Sequence, residues 1–430
     1  MKAGFVLAGN IALAAAAWAQ APSVQPPSVS LAQAQQTALQ NHPRIASAAY
    51  QAQASGFAVR EARSAYYPSL SGSITGVGTD HGSVLSAGAL TTSSLFSRGA
   101  TGIVANQLVT DFGRTGSLVQ SARLRNESRN ANVINTRAEV LIEVQMAYYQ
   151  ALAAQAVEKV AQATLDLRRL TLRQVSALAA SALRSKVDVS FAEVTVSQAQ
   201  LDLIHARNDA RASHARLSAA MGYERDQAFT LLDETTPPPL SQDVDSLIAE
   251  ALRQRPDLAT LRLDRDSLQV YAEAEKKLRN PAVNVGVVSG VAPVRDERLP
   301  VSYSAAGVNI SIPVWNGGLF KARHQEAESH AAAAGKDVDA LAVQVARDVQ
   351  ITWLDANDAF ERLDVTARMV AEANEALRLA QARYDNALGG IVELNQAQVN
   401  QAAAEVAQAS AKYEYLGQLA NLNFAMGALR

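Results

Sequence analysis

The residues of this chain with the types to do chemistry are six histidines, an Asp-Phe-Gly triplet and a Gly-x-Gly pair. None has the company its chemistry needs. Asp111-Phe112-Gly113 spells the metal-holding triplet of protein kinases, but the lysine, catalytic loop and phosphate loop that give it meaning are missing, so it reads as a strand-to-helix turn. Gly76-Val77-Gly78 lacks the third glycine and the following helix of a dinucleotide loop. Of the histidines at 42, 81, 205, 214, 324 and 330, none is read as half of an i,i+4 pair with a carboxylate partner suited to zinc. His205 and His214 are read as solvated helix positions. Zero cysteines exclude a disulfide scaffold, a thiolate metal site and a Cys nucleophile. With five scattered methionines there is no soft-ligand cluster for copper or silver either. No Gly-x-Ser-x-Gly elbow occurs. The expectation is a protein without catalytic residues, cofactor-binding residues or a metal site: not an enzyme.

The composition points elsewhere. The 430 residues are 48% hydrophobic but only 5% aromatic, and much of the aliphatic content is alanine, which suits long helices. With 39 Lys+Arg against 41 Asp+Glu, the surface is not built to hold nucleic-acid phosphates. Met1-Lys2, an apolar run to Ala17 and the small-x-small site Ala17-Trp18-Ala19 form a secretory signal over residues 1–19. Cleavage after Ala21 and a short N-terminal anchor are the alternatives. Beyond it, no window approaches eighteen apolar residues, so an integral membrane contact would have to be made by β-strands in a closed barrel.

Proline placement exposes a duplication. Residues 69–236 and 314–430 are proline-free, which permits very long helices. His42-Pro43 matches Arg255-Pro256, and Tyr67-Pro68 matches Asn280-Pro281, both at an offset of 213. Gln145, Tyr148 and Met221-Gly222 match Gln350, Trp353 and Met426-Gly427, all at an offset of 205. The change of offset places a longer loop in the first half, between Pro68 and Val109. Two repeats follow, 20–222 and 242–430, joined by a connector at 223–241 that contains Pro237-Pro238-Pro239.

Each repeat reads as two short helices, two strands and two long helices. The first helices cover about 30–41 and 243–255, and the prolines at 68 and 281 stop the second ones. Period-two alternation, with Leu70 and Ile74 between serines and with Val283, Val285 and Val287 on one face, places strands at about 69–78 and 282–291. Return strands fall at about 101–109 and 302–314. Long helices are expected at about 114–180 and 319–386, with return helices at about 186–221 and 391–426. Heptad-like steps such as Val194 to Leu201 and Val399 to Val406 support them.

Strands of about ten residues have the length that a tilted barrel strand needs to cross a bilayer. Four of them cannot close a barrel, and open edges in lipid leave backbone groups unsatisfied at several kcal/mol each. The strands are therefore a soluble sheet, or they are completed by other copies of the chain.

In this order and with these motifs the chain resembles the TolC-like outer-membrane factors of bacterial export systems. The resemblance is carried by Ala62-Arg63-Ser64-Ala65-Tyr66-Tyr67-Pro68-Ser69-Leu70 leading into a strand and by Ile312-Pro313-Val314-Trp315-Asn316-Gly317-Gly318 leaving one. It is carried further by Ala382-Arg383-Tyr384 through Gly389-Gly390-Ile391-Val392-Glu393 to Ala397-Gln398, and by the Met-Gly pairs that end each repeat. It implies a mostly α protein with a membrane β-barrel: a homotrimer with a twelve-stranded barrel in the outer membrane and a twelve-helix periplasmic tunnel. It implies an adaptor and an inner-membrane transporter as partners, and passive conduction of small molecules or of secreted proteins. The rival reading is a soluble periplasmic or surface coiled-coil protein, which requires the strands to be loops.

The resemblance also implies site residues. Tyr384 and Glu393 match an aperture tyrosine and carboxylate, and Asp188 is the position equivalent to Glu393 in the first repeat. Around a three-fold axis these carboxylates would form rings that repel one another and favour cations. The bland alternative for Asp188 is a helix start, where acids suit the dipole. Two positions depart from the family: Gln396 replaces a second aperture acid, and Gly389 replaces an arginine that latches the closed state. Leu388-Gly389-Gly390-Ile391 and Leu183-Arg184-Ser185-Lys186 form the tips where an adaptor would dock, although turn chemistry also accounts for the glycines.

Overall fold

The structure, a computed structural model, describes residues 27–78, 97–240, 243–295 and 300–429. The expected signal segment, most of the longer first-half loop and Asp296-Glu297-Arg298 of the charged loop lie outside the described residues. The first half runs β1 (Ser28–Val29), α1 (Leu31–Asn41), α2 (Pro43–Ser64), β2 (Ser69–Val77), β3 (Arg98–Thr110), α3 (Arg114–Ala180) and α4 (Lys186–Ala220). The second runs β4 (Thr230–Leu231), α5 (Val244–Gln254), α6 (Pro256–Lys276), a 3-10 turn (Lys277–Arg279), β5 (Ala282–Val294), β6 (Ser302–Ser311), α7 (Leu319–Asp385) and α8 (Ile391–Ala425).

Local chemistry accounts for the boundaries. Ser30 and Gln33 cap α1 reciprocally, Ser30 N donating to Gln33 Oε1 at 2.9 Å and Gln33 N to Ser30 Oγ at 3.3 Å. Pro43 and Pro256 stand in the first turns of α2 and α6, where a missing N–H costs nothing. Asp111 makes the turn into α3: its carboxylate accepts from Gly113 N at 3.2 Å and from Thr115 N at 2.7 Å. The helices α3 and α7 are 67 residues each, about 100 Å long at 1.5 Å per residue.

The four long strands form one antiparallel sheet in the order β2-β3-β5-β6. Strand β6 stops at Ser311, short of the expected 314, because Pro313 has no N–H to give a ladder. Register separates the two faces. Leu70, Ile74, Ile103, Val287, Val308 and Ile310 share one face and are exposed. Ser71, Ser73, Asn106, Asn284, Gly286, Gly307 and Asn309 share the other with Val104 and Val288. Among the described residues the outer edges of β2 and β6 pair with no strand.

Four apolar clusters lie along the helices among the described residues, and the two largest close the repeats. One gathers Ala38, Val140, Val144, Tyr148, Leu217, Met221 and Leu416; the other gathers Leu247, Leu258, Val345, Val349 and Leu422. Each contains the end of its repeat. Gly222, at φ +86°, lies so close to the α1–α2 junction that a Cβ there would be 3.0 Å from the Asn41 carbonyl carbon. Gly427, at φ +75°, abuts the α5–α6 junction, with a Cβ 3.0 Å from Arg255 Cα. The Met-Gly and X-Pro motifs that define the duplication are thus seat and stopper of one joint, built twice.

The connector is strapped to the helices by tyrosines. Tyr148, fully buried, points its hydroxyl at Val29 O (3.0 Å) and Leu232 O (2.7 Å), bridging the parallel pair β1–β4. Tyr415 donates to Pro238 O at 2.9 Å, Tyr149 to Glu234 at 3.0 Å and Tyr413 to Asp233 at 3.2 Å. Lys412 Nζ holds both Asp233 oxygens at 2.8 Å. Burial, then the nearby Glu234 charge, pushes the Tyr148 phenol up to about 12, and burial with Asp233 does the same for Tyr413. Both values are raised above the ordinary 10.0, so the neutral phenols contribute stability that is whole below pH 10 and is lost as pH rises through about 12. Near-ultraviolet phenolate absorbance is expected to lag the unfolded chain's through that interval, with the melting temperature falling as it appears. Phenolates all forming near pH 10 without loss of structure would refute the strap.

Candidate functional site

The far end of the helices, opposite the sheet, carries the residues singled out by resemblance. Both long helices end in a left-handed residue, Ala182 (φ 60°) and Ala387 (φ 58°), followed by backbone bonds of Leu183 N to Leu178 O (2.9 Å) and Leu388 N to Arg383 O (2.8 Å). The alanines, not Gly389 and Gly390, therefore carry the left-handed turn. Gly390 is an extended cap (φ −93°) at the start of α8.

Asp188 belongs to its own helix start. Ser185 Oγ accepts from Val187 N at 2.9 Å while Ser185 N donates to Asp188 Oδ2 at 3.2 Å, a reciprocal capping arrangement. Glu393 is exposed and pairs with Arg383 Nε at 3.0 Å. Gly389 makes room for that pair, since a Cβ there would lie 2.9 Å from Glu393 Oε2 and 3.2 Å from Arg383 Cβ. Gln396 donates to Asn400 at 2.9 Å along the surface of α8. Leu183 and Leu388 are 70% and 72% exposed, and Lys186 is exposed. Ile391, expected at the docking tip, is 4% exposed and packs with Val175, Tyr384 and Leu394; at the mouth of a helical hairpin its apolar side chain finds the core, not solvent.

Arg184 has a second contact set that sequence reasoning missed. Its guanidinium lies 4.1 Å from the Tyr384 ring centroid and donates to the Tyr384 carbonyl oxygen, tying the α3–α4 hairpin to the α7–α8 hairpin. Tyr384 is buried, and its hydroxyl has no partner among the described residues. Burial raises its pKa, with Arg184 opposing.

Further along the α3–α8 seam a cation is buried. Arg168, 4% exposed, donates to Gln398 Oε1, and Gln398 Nε2 donates to Thr171 Oγ1 at 3.0 Å. Burial lowers the Arg168 pKa, while Asp202 acts against it. A signal for it existed: Leu165, Arg168, Leu172 and Val175 repeat at 3-4-3 spacing, so the arginine occupies an apolar position of a heptad stripe.

Two histidine readings need correction. His214 is not solvated: its ring stacks on Phe229 at 4.0 Å, with Nδ1 2.8 Å from Asp226 Oδ1, because the connector folds back over α4. His324–Glu328 (3.5 Å) and Glu326–His330 (4.0 Å) are i,i+4 pairs on α7, contrary to the sequence reading. Four residues on a helix return to the same face, but 324 and 326 are some 200° apart, so the pairs do not merge. Among the described residues no group of three or more potential ligands occurs.

The outer membrane efflux protein family model matches residues 34–223 and 247–428. These segments begin 213 residues apart and end 205 apart, the two offsets of the internal repeat. The chain is 21% identical over 420 residues to outer membrane protein TolC of Escherichia coli (strain K12), covering 93% of this chain and 82% of that protein. It is 22% identical over 338 residues to outer membrane efflux protein BepC of Brucella suis biovar 1 (strain 1330), covering 77% and 68%. Its fold matches that of VceC, an outer membrane protein of Vibrio cholerae, with a TM-score of 0.77 over 92% of this chain and 96% of that one, at 17% identity.

Proposed function

The chain belongs to the outer membrane efflux protein family, and on that premise we propose that three copies form a passive duct through the outer membrane, opened by partners at its periplasmic end. It is an outer-membrane efflux channel, with its long helices in the periplasm. The observation that carries the three-copy reading is an unfilled seam. Within one chain α3 packs along α8, whereas the equivalent pair in the duplicated plan, α7 with α4, has no comparable packing and comes together only at the tip, where Val189 meets the cluster around Tyr384. Both helices leave apolar side chains exposed, Val343, Leu354 and Val365 on α7 and Phe191, Val194 and Leu201 on α4. The positions equivalent to 343 and 354 are Ala138 and Tyr149, which are buried. A second copy laying its α4 on α7 fills that seam, and the same operation brings β6 of one copy to β2 of the next. Three copies give twelve strands, with the apolar sheet face toward lipid and the polar face inward.

The first nineteen residues serve as the export signal, and 223–241 as a strap between the repeats. Energy comes from an inner-membrane transporter, coupled through an adaptor that meets Leu183, Lys186, Leu388, Gly389 and Gly390. The cargo is small molecules or secreted polypeptides. At the tip, Arg184 on Tyr384 holds the hairpins together, and Asp188 and Glu393 approach the axis with Gln396.

Single-channel conductance of the detergent-extracted protein in a planar bilayer tests this. Wild type is expected to give small, cation-preferring pores, and Arg184→Ala to raise conductance several-fold, since a cation–π contact of about 0.5–2 kcal/mol and a charged hydrogen bond are lost per copy. Asp188→Ala and Glu393→Ala should weaken the cation preference. A protein that needs no detergent and never inserts would favour the soluble coiled-coil reading. Pores indifferent to all three substitutions would keep the duct and remove this gate.

A further inference from the structure

One transverse row of the sheet is unlike the rest. Ser73, Gly102, Gly290 and Tyr303 stand directly opposite one another on β2, β3, β5 and β6, so all four belong to the small and polar face. The Tyr303 ring does not stand up from the sheet, as a strand side chain ordinarily does. It lies across two strands. A Cβ on Gly102 would be 2.5 Å from the Tyr303 hydroxyl oxygen and 2.9 Å from Ser289 O, and one on Gly290 would be 2.5 Å from the same hydroxyl and 2.6 Å from Cζ, with the Thr101 carbonyl oxygen as close. The ring therefore occupies the volume that two side chains would fill, which is how an aromatic residue covers a bare stretch of sheet. The next row on this face is Ser71, Val104, Val288 and Ala305, and the rows beyond it carry Asn106 with Gly286 and Asn284 with Asn309; none has an aromatic side chain.

Resting on the reading that this face lines the barrel, we propose that Gly102 and Gly290 keep the bore open at the level of Tyr303: they let the ring lie flat, so that three copies form an aromatic collar pressed against the wall instead of a constriction. Were Gly102 replaced, its Cβ would press hardest on the ring, which would have to rise toward the axis, because a rotatable side chain yields more than strand backbone; at Gly290 the Thr101 carbonyl stands in the way as well. The collar lies nearer the β5–β6 connection than Asn284 and Asn309 do, so a solute entering from that end passes it before reaching those asparagines.

Because the chain has no cysteine, single introduced thiols report the passage cleanly. Asn284→Cys is treated, in protein reconstituted in vesicles, with a small and with a bulky membrane-impermeant thiol reagent added on the loop side. A flat ring predicts that adding Tyr303→Ala changes the bulky-to-small rate ratio less than about 2-fold, whereas adding Gly102→Ala lowers it several-fold. Adding Tyr303→Ala to the Gly102→Ala protein should restore the ratio. A several-fold rise on Tyr303→Ala alone would mean that the ring already projects, and overturns the proposal. So does a Gly102→Ala loss that Tyr303→Ala fails to relieve. Should Gly102→Ala not assemble, the Tyr303→Ala arm decides alone. The barrel reading fails separately: Asn284→Cys would be inert to both reagents while Ile310→Cys, on the opposite face, reacts.

Discussion

Alanine at Gly222 or at Gly427 is expected to destabilise the protein by roughly 2–5 kcal/mol, the sum of about 1–2 for a left-handed backbone and about 1–3 for overpacking. The two contributions coincide at these sites. Each glycine has positive φ, and each would drive a Cβ to 3.0 Å of backbone atoms in the junction it abuts, Asn41–His42 or Arg255. Backbone on both sides leaves no rotamer to move. At Gly427 the joint is also a charge site: Arg255 is held to Asp257 at 2.6 Å and donates to Ala425 O at 3.3 Å, so displacing it costs more than packing. Denaturant midpoints of the extracted protein measure this. Gly335→Ala is the control of opposite sign. That residue is inside α7 with open space around it, and alanine there should gain up to about 1 kcal/mol of helix propensity. Equal small effects at all three positions would show that the joints are not close-packed.

Gln398→Leu is expected to cost about 2–4 kcal/mol, because it leaves the buried Arg168 guanidinium without its acceptor. The opposite truncation should behave differently. Arg168→Met removes the charge itself, and burying an apolar chain of similar length in that seam should be near neutral or stabilising. Gln398 Nε2 would still donate to Thr171 at 3.0 Å, and only the neutral Oε1 acceptor would lose its partner, a smaller cost than an orphaned charge. The double variant Arg168→Met/Gln398→Leu should therefore be more stable than Gln398→Leu alone. If it is equally unstable, the cost lies in the shape of the glutamine and not in the orphaned charge. Chemical denaturation of the four proteins closes the cycle.

The helices were legible because their signals are local. Pro43, Pro68, Pro256 and Pro281 end or begin elements by sterics alone, and the expected bounds of α3 at 114 and 180 coincide with those observed. The sheet was legible in its faces more than in its ends. Alternation continues through Ile312 toward Val314, but ladder bonds stop at Ser311, since side-chain pattern does not register a missing proline N–H. The tip was read least completely. Ile391 lies in a stretch that looks exposed until Tyr384 and Val175 cover it, and Arg184 meets a ring two hundred residues away. Such contacts depend on how two hairpins stack, which no local pattern carries. His214 failed for a related reason: the stacking Phe229 comes from a connector without periodicity of its own.

The unpaired edges of β2 and β6 have a genetic consequence. Under the proposed closure, every copy must offer both edges, and a single defective edge leaves the whole ring open. A lesion that blocks one edge while sparing the helices would then be dominant. Expressed equally with the intact protein and mixed at random, it would leave only about one assembly in eight free of the defect. Alleles of that kind would map to the outer strands, and the inner pair β3–β5, whose partners lie within one chain, would yield recessive ones.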